Sequence, residues 1–187
     1  MISQPGMASL KVLETSKEQL SQWRKDSDAI IINCAHGISN RLTGGPDTGG
    51  CLNTIEAQGM GEGWSDFIAM FFLAKSSDTA TTGIVTWNVH AIGEVWAIML
   101  WEVYWNLVTK HGFAKNLYKA EQSEGNIVTM KIIIGGMMIQ QCNPTFLAAR
   151  DAIISADKLH YQGANKCEIY KGFSKRGLGL GPLTPHR

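Results

Sequence analysis

Apolar residues in this chain recur mainly at intervals of three and four, a period that predicts helices. The clearest run is Val89 to Lys110. There Ile92, Val95, Trp96, Met99, Leu100, Val103 and Leu107 form a wide apolar stripe, and Lys110, His111 and Gly112 supply C-terminal signals. Ala29 to Leu42 starts apolar and turns polar, as a helix would if it entered the core at its N-terminal end. Gly61 to Lys75 predicts a helix packed on it, with Phe67, Met70 and Phe71 inward. Asn126 to Gln141 predicts another, in which Gly135-Gly136 permit close helix–helix approach. Asn143 as N-cap and Pro144 at the first helical position start a helix to about His160. Ala164 to Arg176, stopped at Gly177, is the last, and Leu10 to Asp26 is a candidate short amphipathic helix. The Gly-rich stretch Thr43–Asn53 and the polar stretch Ser76–Gly83 read as loops. The expected fold class is mainly α, a helical bundle.

Composition narrows the function classes. The 187 residues suit one domain with a sizeable core, with 44% hydrophobic and 18% charged residues. Lys plus Arg (17) nearly balance Asp plus Glu (16), so no footprint for nucleic acid or an anionic membrane is visible. No apolar run approaches the roughly 20 residues of a spanning helix. Met1 to Lys25 is polar and lacks the apolar stretch of a secretory signal, which leaves either a cytosolic chain or a missing upstream piece.

The candidate chemistry lies in two segments. Ile32-Asn33-Cys34-Ala35-His36 and Glu62-Gly63-Trp64-Ser65-Asp66 have a spacing similar to the second half of a gluzincin zinc site. In a helix-borne His-Glu-x-x-His motif, two histidines one turn apart grip the metal and the intervening glutamate activates water. Read back from His36, the first histidine falls at Ile32 and the glutamate at Asn33. His36 shares a predicted helix with Arg41, while Glu62 and Asp66 stand one turn apart on the next. Taken singly, these residues have plainer readings: a polar helical histidine, a solvated acidic face, and tryptophans 96, 101 and 105 serving the core.

Together, the motifs resemble the fungalysins, secreted fungal zinc metalloendopeptidases. The resemblance is carried by His36–Pro46, Gly59–Phe67, Val89–Gly93, Gln141–Pro144, Ala149–Ile153, Ala164–Ile169 and Lys175–Gly179, across about residues 26–181. Residues 1–25 stay unassigned, and 26–187 are expected to form the helical half of a thermolysin-like catalytic domain. The resemblance implies one Zn²⁺, a protein or peptide substrate, a propeptide partner and an extracellular location. It assigns His36 and Glu62 as metal ligands, Asp66 as support for the first ligand histidine, and His90 as the catalytic residue that polarises the scissile carbonyl. Ile32 and Asn33 depart from it, because Ile offers no donor and Asn no base. Between Asp66 and His90 the chain is also several dozen residues shorter than family members.

Two functions are expected from this pattern. One is an extracellular metalloendopeptidase domain, fragmentary and weakly active or inactive. The other is a non-catalytic decoy for a propeptide or inhibitor. For the cysteines, Cys142 and Cys167 are expected to pair across the Pro144 helix, with Cys51 lacking an evident partner and Cys34 a free thiol.

Overall fold

The computed structural model describes residues 30–45, 49–81 and 91–179. Six helices and no strands occur among them: α1 (30–42), α2 (Ile55–Leu73), α3 (Ala91–His111), α4 (Gly125–Ile139), α5 (Phe146–Tyr161) and α6 (Lys166–Ser174). The mainly α expectation is met. No helix among the described residues is long and apolar enough to cross a membrane. The predicted segment Leu10 to Asp26 lies outside the described residues.

α3 is the axis of the bundle. It packs on α2, α4 and α6, and α5 lies mainly against α4. Trp96, Leu100, Val103 and Leu107 are fully buried at steps of four, three and four; Met99, Trp101, Tyr104 and Trp105 extend burial around the helix. A helix apolar on most sides belongs at the centre of a core. Trp64, Phe67 and Phe71 of α2 meet it from one side, and Ile132, Ile133 and Met137 of α4 from another. Tyr104 stacks on Trp101 at 4.8 Å, and burial with the nearby Asp78 charge pushes its phenol pKa up. Ile92 and Val95, expected inward, are exposed. They lie at the start of α3, where Ile92 flanks Gly59 of α2 at the edge of the crossing and is only partly covered.

Glycines set the α2–α3 distance. A Cβ at Gly93 would lie 2.8 Å from the Gly59 carbonyl oxygen, 3.1 Å from the Gly63 nitrogen and 2.9 Å from Glu62 Cβ. The crossing therefore needs a residue without a side chain. The predicted role of Gly135-Gly136 holds too: a Cβ on Gly136 would stand 2.8 Å from Ile153 Cγ1 on α5.

Helix starts differ from the sequence reading in one informative place. Thr54 caps α2 by accepting the Ala57 N–H, and α5 is capped by Thr145, which accepts the Ala148 N–H at 3.2 Å. Asn143 is not the cap. It sits in the left-handed region at φ 52°, its Oδ1 accepts the Asn53 N–H at 2.7 Å, and its own N–H donates to the Cys51 carbonyl at 2.9 Å. Occupied by this clip to the 50–53 loop, Asn143 cannot cap, and the helix begins two residues later than expected, at Phe146. Glu56 of α2 accepts the Phe146 N–H at the start of α5 at 2.7 Å.

The same clip corrects the disulfide. Cys142 pairs with Cys51, across a sequence separation of 91, and Cys167 is a free, exposed thiol on α6. Asn143 brings the 50–53 loop against residue 142, whereas Cys167 faces solvent on a different helix. Cys34 is free, as expected. Gln140 adds to the tie, donating from Nε2 to Thr43 Oγ1 at 2.7 Å and accepting the Gly44 N–H at 3.3 Å.

The first helix is also seated differently from its expected entry into the core. Ile30 at its start is 63% exposed, while Ala35 and Ser39, one turn apart, are fully buried. The contact lies mid-helix because α2 meets α1 there, through His36 and Ser65.

Two predictions follow from the packing. Unreduced folded protein should expose two alkylatable thiols, Cys34 and Cys167, with a Cys51–Cys142 cross-linked peptide in its digest; Cys51→Ala should cost about 4–5 kcal/mol in the chain-entropy account. A Cys142–Cys167 peptide would contradict the pairing. Gly93→Ala should destabilise by about 1–3 kcal/mol through overpacking. Gly37→Ala, in helical α1 with nothing within 4 Å of the added Cβ, should stabilise by about 0.5–1 kcal/mol. Denaturant midpoints of the two variants moving in the same direction would refute this account.

Candidate metal centre

α1 and α2 bring His36 and Glu62 together. Nε2 of His36 lies 3.4 Å from Oε2 of Glu62, with both side chains about one third exposed. On the opposite edge of the imidazole, Nδ1 is 2.9 Å from the hydroxyl of Ser65. Glu62 and Ser65 are three residues apart on α2, so both reach one face. The His36 carbonyl is engaged as well, accepting from Asn40 Nδ2 at 2.9 Å and Ser39 Oγ at 3.2 Å.

α2 holds its side of the site rigidly. Trp64 and Phe67 are fully buried beside the half-buried Glu62 and Asp66, and Trp64 meets Trp96 edge-on at 5.0 Å. The crossing at Gly59, Gly63 and Gly93 fixes the axial position of Glu62 against α3. α1 is held at its C-terminal end by Thr43, which donates to the Ser39 carbonyl at 2.7 Å and accepts from Gln140.

The donor set can be tested against zinc. Ligand atoms each about 2.0–2.1 Å from a tetrahedral Zn²⁺ lie about 3.3–3.4 Å from one another. The His36–Glu62 separation of 3.4 Å meets that requirement. A catalytic site needs a third protein ligand and an open position for water. Ile32 stands one turn before His36 on the same side of α1, half-buried, where helix register would present that ligand; its side chain is hydrocarbon. Asn33 is exposed. Among the described residues no group of three or more His, Cys, Asp or Glu side chains converges on one point. The residues present fit two ligands of a zinc ion and do not fit a catalytic zinc centre, so no hydrolytic step is derived through the metal.

The sequence reading singled out His36, Glu62 and Asp66, and the structure sets them on adjoining helices. His90 lies outside the described residues. Ser65 was passed over, although it is fully buried and touches His36. Its signal was its place three residues after Glu62, inside the motif already recognised. Cys34, two residues from His36, is exposed and faces away.

The fungalysin metallopeptidase (M36) profile matches residues 4–87 and 78–182, two segments that together take in both site helices and begin within the stretch left unassigned on sequence. An extracellular metalloproteinase of Leptosphaeria maculans is 44% identical over 194 residues, covering 83% of this chain and 31% of the relative. Extracellular metalloproteinase 2 of Phaeosphaeria nodorum is 43% identical over 195 residues, covering 82% and 30%. Extracellular metalloproteinase 1 of Trichophyton rubrum is 43% identical over 195 residues, covering 83% and 30%. The chain thus spans about three tenths of the length of these relatives. On the strength of a profile match over most of its length and of these identities, the chain belongs to the fungalysin metallopeptidase family.

Proposed function

We propose that this chain represents the helical part of an extracellular zinc metalloendopeptidase catalytic domain that retains two zinc ligands, His36 and Glu62, and no hydrolytic machinery. The observation that carries the reading is the 3.4 Å His36–Glu62 pair with Ile32 at the preceding turn of the same helix face. The extracellular assignment and a protein or peptide substrate class come from the relatives. The Cys51–Cys142 disulfide supports the former, since such bonds persist in oxidising compartments.

Magnitudes decide what two ligands can hold. Four-ligand structural zinc sites bind with about 10–16 kcal/mol of apparent energy, so two ligands retain roughly half, about 5–8 kcal/mol. That corresponds to a dissociation constant of about 1–200 μM, and such a site is largely empty at low free zinc. A missing general base costs a further factor of about 10²–10⁴ in rate. His90 would polarise a scissile carbonyl by family analogy. Polarisation alone does not supply a deprotonated nucleophile.

A second reading rests on a different observation. Ile92 and Val95 are exposed at the start of α3, and Ile92 lies beside Gly59, which is one turn before Glu62 on α2. Such a rim suits a decoy that takes up a propeptide or inhibitor. Co-purification with a fungalysin propeptide would support it, and absence of binding at micromolar concentrations would remove it.

Metal content after exhaustive dialysis tests the leading reading. The unaltered chain is expected to retain well under one equivalent of zinc and to leave casein intact. The Ile32→His/Asn33→Glu variant is expected to bind at least about 100-fold more tightly, by analogy with a site regaining a full ligand. Stoichiometric zinc and chelator-sensitive cleavage by the unaltered protein, abolished by Glu62→Ala, would defeat the proposal.

A further inference from the structure

We propose that the Cys51–Cys142 bond is a reversible latch on the loop that seats α1, opened by a small-molecule thiol that attacks at Cys142 and kept within reach of reclosure by Asn143. The proposal does not rest on metal binding. The two cysteines differ in access: Cys142 is exposed, whereas Cys51 is only 3% exposed. Exchange rates depend on which sulfur an incoming thiolate can reach, and exposed disulfides are the labile ones. Asn143 distinguishes the two sulfurs as well. Its Oδ1 accepts the Asn53 backbone N–H at 2.7 Å, and a backbone N–H can only donate, so the side-chain amide is oriented with Nδ2 on the other side. That Nδ2 donates to Cys142 Sγ at 3.8 Å, a contact that favours negative charge on this sulfur.

The exchange balances in two steps. A thiolate attacks Cys142 Sγ, its new S–S bond forming as the bond to Cys51 breaks, and the electron pair departs on Cys51 Sγ, which takes a proton from water. A second thiolate attacks the external sulfur of that mixed disulfide. A small-molecule disulfide leaves, and Cys142 carries the electron pair until it is protonated. Two thiols are oxidised while one protein disulfide is reduced. Asn143 Nδ2 faces the sulfur that departs in the second step. After opening, the Asn143 N–H keeps the Cys51 carbonyl, 2.9 Å away, and Asn53 stays on Oδ1, so the two thiols remain neighbours and the bond can re-form. The loosening is local. Glu56 continues to join the start of α2 to Phe146 at the start of α5, and α2 stays locked to α3 at Gly59, Gly63 and Gly93. What loses its covalent anchor is the 49–53 loop and, through it, α1, which is left on Gln140 and its own contacts with α2.

Reduced glutathione is the probe. In the Cys34→Ser/Cys167→Ser variant, which lacks the two free exposed thiols, brief exposure followed by acid quench and alkylation should trap glutathione on Cys142 and leave Cys51 as the alkylated thiol. In the unaltered chain, full reduction should speed amide hydrogen exchange at residues 30–45 and 49–53 by at least about threefold while α3 and α4 keep their protection, as a local opening requires. Return to a glutathione redox buffer should restore the Cys51–Cys142 peptide and the slow exchange, and Asn143→Ala should reclose at least about threefold more slowly. Glutathione recovered mainly on Cys51 would overturn the proposal. So would exchange that is unchanged at 30–53 after reduction, or that rises equally in α3 and α4. The exchange measurement uses the unaltered chain and decides even if a variant fails to fold.

Discussion

The connection between α1 and α2 is tied to the C-terminal end of α4, and the position of His36 relative to Glu62 depends on that tie. Cys51 is bonded to Cys142, Asn143 holds both Asn53 and Cys51 through hydrogen bonds, and Gln140 grips Thr43 and Gly44. One short stretch after α4 therefore fastens both ends of the loop that separates the two site helices. Closing so long a loop covalently is worth about 4–5 kcal/mol. Hydrogen bonds of this kind add about 1 kcal/mol each. Without them α1 would rest on the buried Ala35 and Ser39, the partly buried Ile31 and Leu42, and the contacts of His36 with Ser65 and Glu62.

The core on which this tie acts is built by side-chain packing. Its volume comes from α3 and the aromatic side chains around it, each aromatic burying about 150–250 Å². Among the described residues, the indole N–H groups of Trp64, Trp96, Trp101 and Trp105 are buried with no hydrogen-bond partner, a cost of about 1–3 kcal/mol for each. That such a cost is carried indicates how much apolar burial the bundle has in hand. At the far end of the axis, the ends of α3, α5 and α6 meet in a polar junction. His111 bonds Asn165, whose amide and backbone N–H both reach the buried carboxylate of Asp157. Nearby, burial acts to raise the Glu168 pKa, but Lys110 at 2.9 Å, backbone hydrogen bonding and His111 outweigh it and hold it below the usual carboxylate range. This end of the bundle is thus secured by contacts remote from the half-site.

Much of this was legible in the residues. The three-and-four spacing located α2 to α6 to within a few positions, apart from the early start of α2 at Ile55, and the Gly135-Gly136 approach followed from residue size alone. Motif spacing found His36 and Glu62 because a helix fixes which residues share a face. What escaped was long-range. Asn143-Pro144 has the local chemistry of a helix start, yet a partner 90 residues away takes Asn143 for another use. The Cys51 pairing was hidden for the same reason: spacing along the chain says nothing of what a clip brings together. Ile92 and Val95 satisfy the helical period and remain exposed, because periodicity names a face without saying that another element covers it. Ser65 looked like filler between two acidic residues until its neighbour across the helix pair was known.

The half-site follows from these constraints. A zinc ion bound by residues of two helices is itself a cross-link, contributing folding energy as well as chemistry. Where that ion is the main link, losing a ligand should loosen the helices and scatter those that remain. Here α1 and α2 are joined through α4 instead, and α2 is locked to α3 at glycines that admit no side chain. An isoleucine at position 32 is consequently accommodated half-buried, while His36 and Glu62 keep a separation that still suits two ligands of a tetrahedral ion. The loop tie and the glycine crossing set the geometry, and packing supplies neither a metal donor at Ile32 nor a base at Asn33.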